Sequence, residues 1–188
     1  MERKLQDKKK EYLLRGFTLV ELLVVIIIIV IISTIVFLNY RSGRQRLALE
    51  RAAHRFLQDV RRAQEMAMSA REVNGIIPLG GYGVYTTISD LEHYIIFADC
   101  NDNDIYDPPP ATPCNGKTER IERITLEQGV TVCPICDPEV CVIFTPPDPE
   151  VTIFPPRVYG EFTLVNEIGE SRGVYVNRLG VTMIVDLP

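Results

Sequence analysis

The first hydrophobic pattern in the chain is a nearly continuous apolar run that occupies residues 17–38 and holds one charged residue, Glu21. At about 1.5 Å per residue, a helix of this length measures roughly 33 Å, which is enough to cross the hydrocarbon core of a membrane. A cleaved secretory signal has a shorter apolar region that ends in a small-residue cleavage site, and this run has neither property. The pattern therefore predicts a transmembrane helix over residues 17–38.

A second pattern follows, in which apolar residues recur at spacings of three and four. Neither proline nor glycine interrupts residues 44–74, so a helix can continue through this segment. The spacing predicts an amphipathic stalk helix over residues 39–74, with an apolar stripe that packs against the rest of the protein. The stripe consists of Leu49, Ala52, Ala53, Phe56, Val60, Ala63, Ala67 and Ala70.

Residues 75–188 contain short β-branched or alternating runs that turn residues separate. No second helical pattern occurs, which favours antiparallel strands in one sheet or in two packed sheets. The predicted fold is therefore α+β: a long N-terminal membrane-spanning helix that continues into a stalk and packs on an antiparallel β-sheet head. The predicted strands are Val84–Thr87, His93–Ala98, Arg120–Leu126, Val130–Cys133, Val140–Thr145, Val151–Phe154, Glu161–Asn166, Gly173–Asn177 and Val181–Val185.

The net charge of −5 hides an uneven distribution along the chain. Residues 1–16 carry a net side-chain charge of +3, residues 39–72 carry +4, and residues 73–188 carry −11. Because an acidic head repels phosphate groups, no nucleic-acid partner is expected. The sequence pattern pairs no nucleophile with a base, and His93 falls within a predicted strand, so no enzymatic role is expected.

Glu21 is unusual because a carboxylate in the middle of a membrane helix costs about 2.5–3.5 kcal/mol on insertion scales. In an uncleaved chain it lies only four residues into the apolar run and can reach the membrane interface. Cleavage after Gly16 would instead leave a free amine on Phe17, one helical turn from Glu21. That amine, or the same amine of a neighbouring subunit, would neutralise the carboxylate inside the membrane.

Residues 15–23, Arg-Gly-Phe-Thr-Leu-Val-Glu-Leu-Leu, resemble the N-terminal signal of type IV pilins and type II secretion pseudopilins. The resemblance implies that prepilin peptidase cuts between Gly16 and Phe17 and then N-methylates Phe17. It also implies that Glu21 guides assembly with other pilins or pseudopilins in a filament.

The same resemblance implies an orientation, which the basic residues on both sides of the span do not decide. Residues 1–16 would be a cytoplasmic leader, and residues 75–188 would form an extracytoplasmic head on a single-pass protein of the bacterial inner membrane. The filament would lie in the periplasm or at the cell surface. The leader is longer and more mixed in charge than is common in the family, and the span lacks the proline of many major pilins.

The order of a long helix and an all-β head resembles the pseudopilin H-like group of minor pilins. This resemblance implies a subunit that acts in protein secretion or pilus biogenesis. A second hypothesis needs no filament: a membrane-tethered extracytoplasmic domain that does not assemble and that binds calcium or a protein. The segments similar to the group are Gly81–Tyr85, Tyr94–Asp99, Asn101–Asp107 and Val174–Gly180.

A candidate calcium site lies in the acidic segment of residues 99–107. It places side-chain oxygens at positions 1, 3, 5 and 9 of a loop similar to an EF-hand, although position 6 is not glycine and position 12 is not glutamate. An acidic loop that only forms turns is the alternative. The candidate Ca²⁺ ligands are Asp99, Asn101, Asn103 and Asp107.

The five cysteines all lie in the head, which fits an oxidising compartment. Cys100 and Cys114 bracket a proline-rich loop, where a disulfide would contribute about 3 kcal/mol in the chain-entropy model. A second disulfide between Cys133 and Cys141 across a hairpin is one hypothesis, and a zinc site that includes Cys136 is another. The odd number of cysteines leaves one free thiol in the disulfide hypothesis.

Overall fold

A computed structural model describes residues 17–133, 135–146 and 150–187. In these residues the chain forms one long helix, α1, and nine strands, and it divides into two compact units at Tyr40 and Arg41. The elements are α1 (Leu19–Met68), β1 (Gly81–Thr87), β2 (His93–Asp99), β3 (Arg120–Thr125), β4 (Val130–Val132), β5 (Glu139–Thr145), β6 (Glu150–Phe154), β7 (Tyr159–Asn166), β8 (Ser171–Asn177) and β9 (Thr182–Leu187).

The first unit consists, in its described part, of the apolar beginning of α1. Its most apolar window has a mean hydropathy of 3.3 and none of that window is buried within the protein. By length and composition, α1 is able to cross a membrane. Isoleucine and valine side chains therefore project outward all round this part of the helix, as they do in a helix that lipid surrounds.

The second unit contains two antiparallel sheets. The five-stranded sheet has the order β3-β2-β1-β5-β6, and the four-stranded sheet has the order β4-β7-β8-β9. Strands that are neighbours along the chain mostly pair as hairpins, but β5 returns to pair with β1 between Tyr82–Phe144 and Thr87–Glu139. The prediction of an α+β fold is confirmed, and the head has two sheets.

The apolar stripe of α1 packs between the two sheets. Phe56 is completely buried, and its ring centroid lies 4.6 Å from that of Tyr94 on β2 and 4.8 Å from that of Phe162 on β7. The other predicted stripe residues up to Ala67 are buried as well. The helix therefore supplies one side of the core that both sheets share, as the spacing of three and four predicts.

The predicted helical segment extends too far at its C-terminal end, because α1 ends at Met68 and not at residue 74. Ala70 adopts a left-handed backbone conformation with φ of 43° and is exposed. The amide of Ala70 donates to the carbonyl of Ala67, and the amide of Arg71 donates to the carbonyl of Met66. These two bonds form a Schellman motif, which satisfies the last carbonyl groups and turns the chain away.

Candidate functional site

The described residues of the predicted processing and assembly signal lie at the start of α1. Phe17 and Thr18 precede the helix, Glu21 lies within its first turn, and Gly16 lies outside the described residues. The amide of Glu21 donates to the hydroxyl of Thr18 at 3.2 Å. This is the threonine half of a capping box, so Thr18 and Glu21 define where the helix begins. The sequence pattern Thr-x-x-Glu was the available signal for this cap.

Glu21 and Phe17 are both exposed in the described unit. Phe17 is 77% exposed, and no described residue forms an ion pair with the Glu21 carboxylate. A carboxylate in the first turn interacts favourably with the positive end of the helix dipole. In a membrane, a carboxylate at this position also needs a cation, and the helix supplies none within its own first turn.

The arginines of the stalk form a second set of charged contacts, which the sequence alone did not predict. Within the second unit, Arg46 contacts Glu170 at 2.7 Å, Arg51 contacts Glu127 at 3.1 Å, and Arg62 contacts Glu122 at 2.8 Å. The basic face of α1 thus meets acidic groups from the turns and strands of the head. Each pair is partly exposed, so its contribution to stability is small.

The predicted calcium ligands are used for hydrogen bonds within the loop. Asp99 is completely buried, and its carboxylate accepts the amides of Asp102 at 2.8 Å, Asn103 at 3.3 Å and Asp104 at 2.9 Å. The side-chain amides of Asn101 and Asn103 donate to Asp107 at 2.8 and 3.0 Å. These two asparagines point amide hydrogens, rather than oxygens, toward the carboxylate of Asp107.

Glu119 completes this loop, although no sequence pattern pointed to it. It is completely buried, and its two carboxylate oxygens accept the amide of Cys100 at 3.1 Å and the amide of Asp107 at 2.8 Å. Burial raises the pKa of Glu119 to about 6, against the lowering effect of the two amide donors. Burial also raises the pKa of Asp99. Glu119 therefore holds the two ends of the loop, and Asp99 holds its middle.

The next question is whether the described residues contain a cluster of side chains that could bind a metal ion. No group of three or more histidine, cysteine, aspartate or glutamate side chains is placed to hold a metal ion there. The calcium hypothesis concerns a mixed set of aspartates and asparagines, and for this set it stays a prediction. The zinc hypothesis places three cysteines together, whereas two of them are joined in a disulfide.

The disulfides differ from the predicted pairing in one case. Cys100 is joined to Cys114 across the proline-rich loop, with Cα atoms 5.2 Å apart. The pairing of Cys133 with Cys141 is wrong, because Cys133 is joined to Cys136 and Cys141 is a free, buried thiol. Cys141 lies within β5, in a small cluster with Phe97, Tyr106 and Ile143, and burial holds its pKa well above the usual value. Cys133 and Cys141 do not face each other across a hairpin, because Cys133 follows β4 in one sheet and Cys141 lies on β5 in the other, where β5 pairs with β1 and β6.

The comparison with protein families matches the N-terminal part of the chain. Residues 15–37 match the model described as the prokaryotic N-terminal methylation motif. No curated protein and no solved structure matches the chain. The motif belongs to proteins that are structural rather than enzymatic, and it implies processing by prepilin peptidase and assembly with other pilins. The motif, together with an apolar helix that fits a single-pass inner-membrane anchor, supports the type IV pilin and pseudopilin family for this chain.

Proposed function

We propose that the protein is a minor pilin or pseudopilin subunit of a type II secretion pseudopilus or a type IV pilus, with no enzymatic activity of its own. The observation that carries this proposal is the methylation motif over residues 15–37, which coincides with the start of an exposed apolar helix. Prepilin peptidase cuts between Gly16 and Phe17 and methylates the new N-terminus. The mature chain then begins just before the Thr18 cap of α1.

Glu21 acts in assembly by forming an ion pair inside the membrane. Its carboxylate costs about 2.5–3.5 kcal/mol in the apolar phase when it stands alone. The methylated amine of Phe17 on a neighbouring subunit supplies the opposite charge, so a docked pair of subunits loses much of this cost. Charge neutralisation therefore favours the docked state over the isolated subunit and fixes the register between neighbouring helices.

The head lies outside the cytoplasm in this proposal. Two disulfides join four of its five cysteines, a state that persists in oxidising compartments. The long helix followed by a two-sheet head supports the pseudopilin H-like group, and the head then acts in protein secretion or pilus biogenesis through contacts with other subunits. The acidic head, with a net side-chain charge of −11 over residues 73–188, does not favour a nucleic acid as partner.

N-terminal mass spectrometry of the chain purified from membranes of its own bacterium tests the proposal. The expected mature terminus is N-methylated Phe17. A Gly16→Ala variant should remain uncut and keep the terminus at Met1, whereas an Arg15→Ala control keeps the glycine and should be cut. An intact Met1 on the unaltered chain, in cells with active peptidase, would contradict the proposal and favour the tethered binding domain.

A further inference from the structure

The four edge strands of the two sheets differ in how they are protected against pairing with another strand. The outer strand β3 carries the charged side chains of Arg120, Glu122 and Arg123. Strand β6 has five residues and is followed directly by Pro155. Charged side chains, short length and proline are the devices that keep an edge strand from recruiting a partner.

Strand β4 is protected by the chain itself. Its three residues pair with β7 on one side. On the other side, the amide of Val132 donates to the carbonyl of Leu91 at 2.8 Å, and the amide of Val130 donates to that of Glu127 at 3.0 Å. Its outward amides are therefore already occupied.

Strand β9 has none of these protections over most of its length. The amide of Asn177 donates to the carbonyl of Val181 at 3.1 Å, which makes this a hydrogen-bonded pair of the β8–β9 hairpin. Because such pairs alternate in an antiparallel ladder, the bonded partners of β8 further along are Met183, Val185 and Leu187. The amides and carbonyls of Thr182, Ile184 and Asp186 point away from β8, and no described residue donates to or accepts from them.

The side chains of β9 add an apolar face to this open backbone. Met183 and Val185 are 49% and 37% exposed, and Val181, which directly precedes the strand, is 52% exposed. The single charged residue of the strand is Asp186, which is paired with Arg172 on β8 at 3.1 Å. An exposed apolar edge with free amides is a template for an added strand.

The space next to β9 also suits an added strand. Arg61 of α1 donates to the hydroxyl of Thr182 at 3.1 Å, so the helix runs beside the inner face of β9. Two hollows lie between the helix and the strand. One of about 380 Å³ is lined by residues that include Gln64, Met68 and Val181, and one of about 200 Å³ is lined by residues that include His54 and Asp186.

We propose that β9 accepts an extended segment of a different protein subunit, which adds to the four-stranded sheet as a fifth strand. The segment is amphipathic, with apolar side chains next to Met183 and Val185 and polar side chains next to His54 and Asp186. This inference rests on the proposed function, since it identifies the neighbouring subunit of the filament as the source of the strand.

A second copy of this chain does not fit as the source. A pair of β9 strands uses the open edge of both copies and closes after two subunits, so it cannot extend a filament. The other three edges of a second copy are protected, as described above.

Hydrogen–deuterium exchange of the full chain tests the proposal. The chain is compared in membranes that contain the assembled filament and as single subunits extracted in detergent. The outward amides of Thr182, Ile184 and Asp186 should exchange rapidly in detergent and about 100-fold more slowly in the filament, which is the factor for a partner present at 100 times its Kd. The amides of Met183 and Val185 should be protected in both samples.

The matched variants are Asp186→Pro and Asp186→Ala. Proline is tolerated at an edge position whose amide faces outward, so both variants should unfold at similar temperatures. Asp186→Pro removes the outward amide and should be depleted from filaments, whereas Asp186→Ala, which loses only the pair with Arg172, should be incorporated. Equal incorporation of the two variants would overturn the proposal.

The remaining outcomes separate this inference from the proposed function. A chain with N-methylated Phe17 that sediments with the filament, but exchanges its outward amides rapidly, overturns the added strand alone. Outward amides that are already protected in detergent also overturn it, because the edge is then covered without another subunit. A chain that is uncut and absent from filaments overturns both proposals.

Discussion

The buried carboxyl group of Glu119 makes the stability of the head depend on pH. Its pKa in the folded head is raised to about 6 from 4.5, so the folded state binds a proton more readily than the unfolded state between these values. The free energy of unfolding contributed by this group therefore rises as the pH falls through this window and declines again as the pH rises. The difference of about 1.5 pKa units corresponds to about 2 kcal/mol.

We expect the Glu119→Gln variant to lose this pH dependence. Denaturant unfolding of the full chain in detergent, measured between pH 4.5 and pH 7, should show that the unaltered chain gains stability relative to the variant on acidification. Glu122→Gln is the control. Glu122 lies on β3, three residues after Glu119, but it pairs with Arg62 at the surface. A stability difference between the unaltered chain and Glu119→Gln that stays constant with pH would contradict the assignment.

The acidic loop of residues 99–107 makes a second prediction at the residue scale. If it binds calcium, added Ca²⁺ should raise the thermal midpoint of the head and Asp107→Asn should abolish this rise, since Asp99 already accepts three amides. Mg²⁺ is the control, because it demands a more rigid octahedral site. A thermal midpoint that does not respond to a chelator of Ca²⁺ would exclude the calcium hypothesis.

At the end of α1, Ala70 adopts a backbone conformation that is unfavourable for a residue with a side chain. Ala70 occupies the left-handed position of the Schellman motif, where a residue with a Cβ costs about 1–2 kcal/mol and glycine does not. Because Ala70 is exposed, its methyl group contributes no core packing. We expect Ala70→Gly to stabilise the head by about 1 kcal/mol, after allowance for the greater freedom of glycine in the unfolded chain.

Thermal unfolding of the full chain in detergent measures this effect. Ala67→Gly is the matched control, because Ala67 is buried inside the helix and its replacement should destabilise the protein by about 1 kcal/mol or more. Equal shifts of the two variants would show that the left-handed position of Ala70 carries no strain.

The helix and the strands could be predicted from the sequence because each depends on a local pattern of residues. The stripe from Leu49 to Ala67 and all nine strands lie within a few residues of their predicted positions, because periodicity and turn residues act over short distances. The pairing of β5 with β1 and the burial of Glu119 depend on contacts between distant segments. The same reason explains the wrong partner for Cys133, since only the sheet order shows where Cys141 lies.

At the scale of the whole molecule, the N-terminal signal and the head carry different kinds of information. The signal is nine residues of local sequence, and the family match extends it over residues 15–37. The head is anchored to α1 by Phe56 and by the stalk arginines, so its folding does not depend on Glu21. Processing, folding and assembly can therefore be tested separately in one variant series.

The Glu21→Ala variant should be cut and methylated as the unaltered chain is, because Gly16 and Phe17 remain. Its head should also unfold at the same temperature, since Glu21 belongs to the first compact unit and the head belongs to the second. Its incorporation into filaments should fall at least tenfold, because a docked subunit would no longer gain the ion pair with the Phe17 amine, and about 1.4 kcal/mol is a factor of ten. Glu21→Asp retains the charge on a shorter side chain and should recover part of the incorporation, whereas Glu21→Gln should not. Sedimented filaments, quantified by mass spectrometry of head peptides, report incorporation, and normal incorporation of Glu21→Ala would refute the docking role while leaving the processing signal intact.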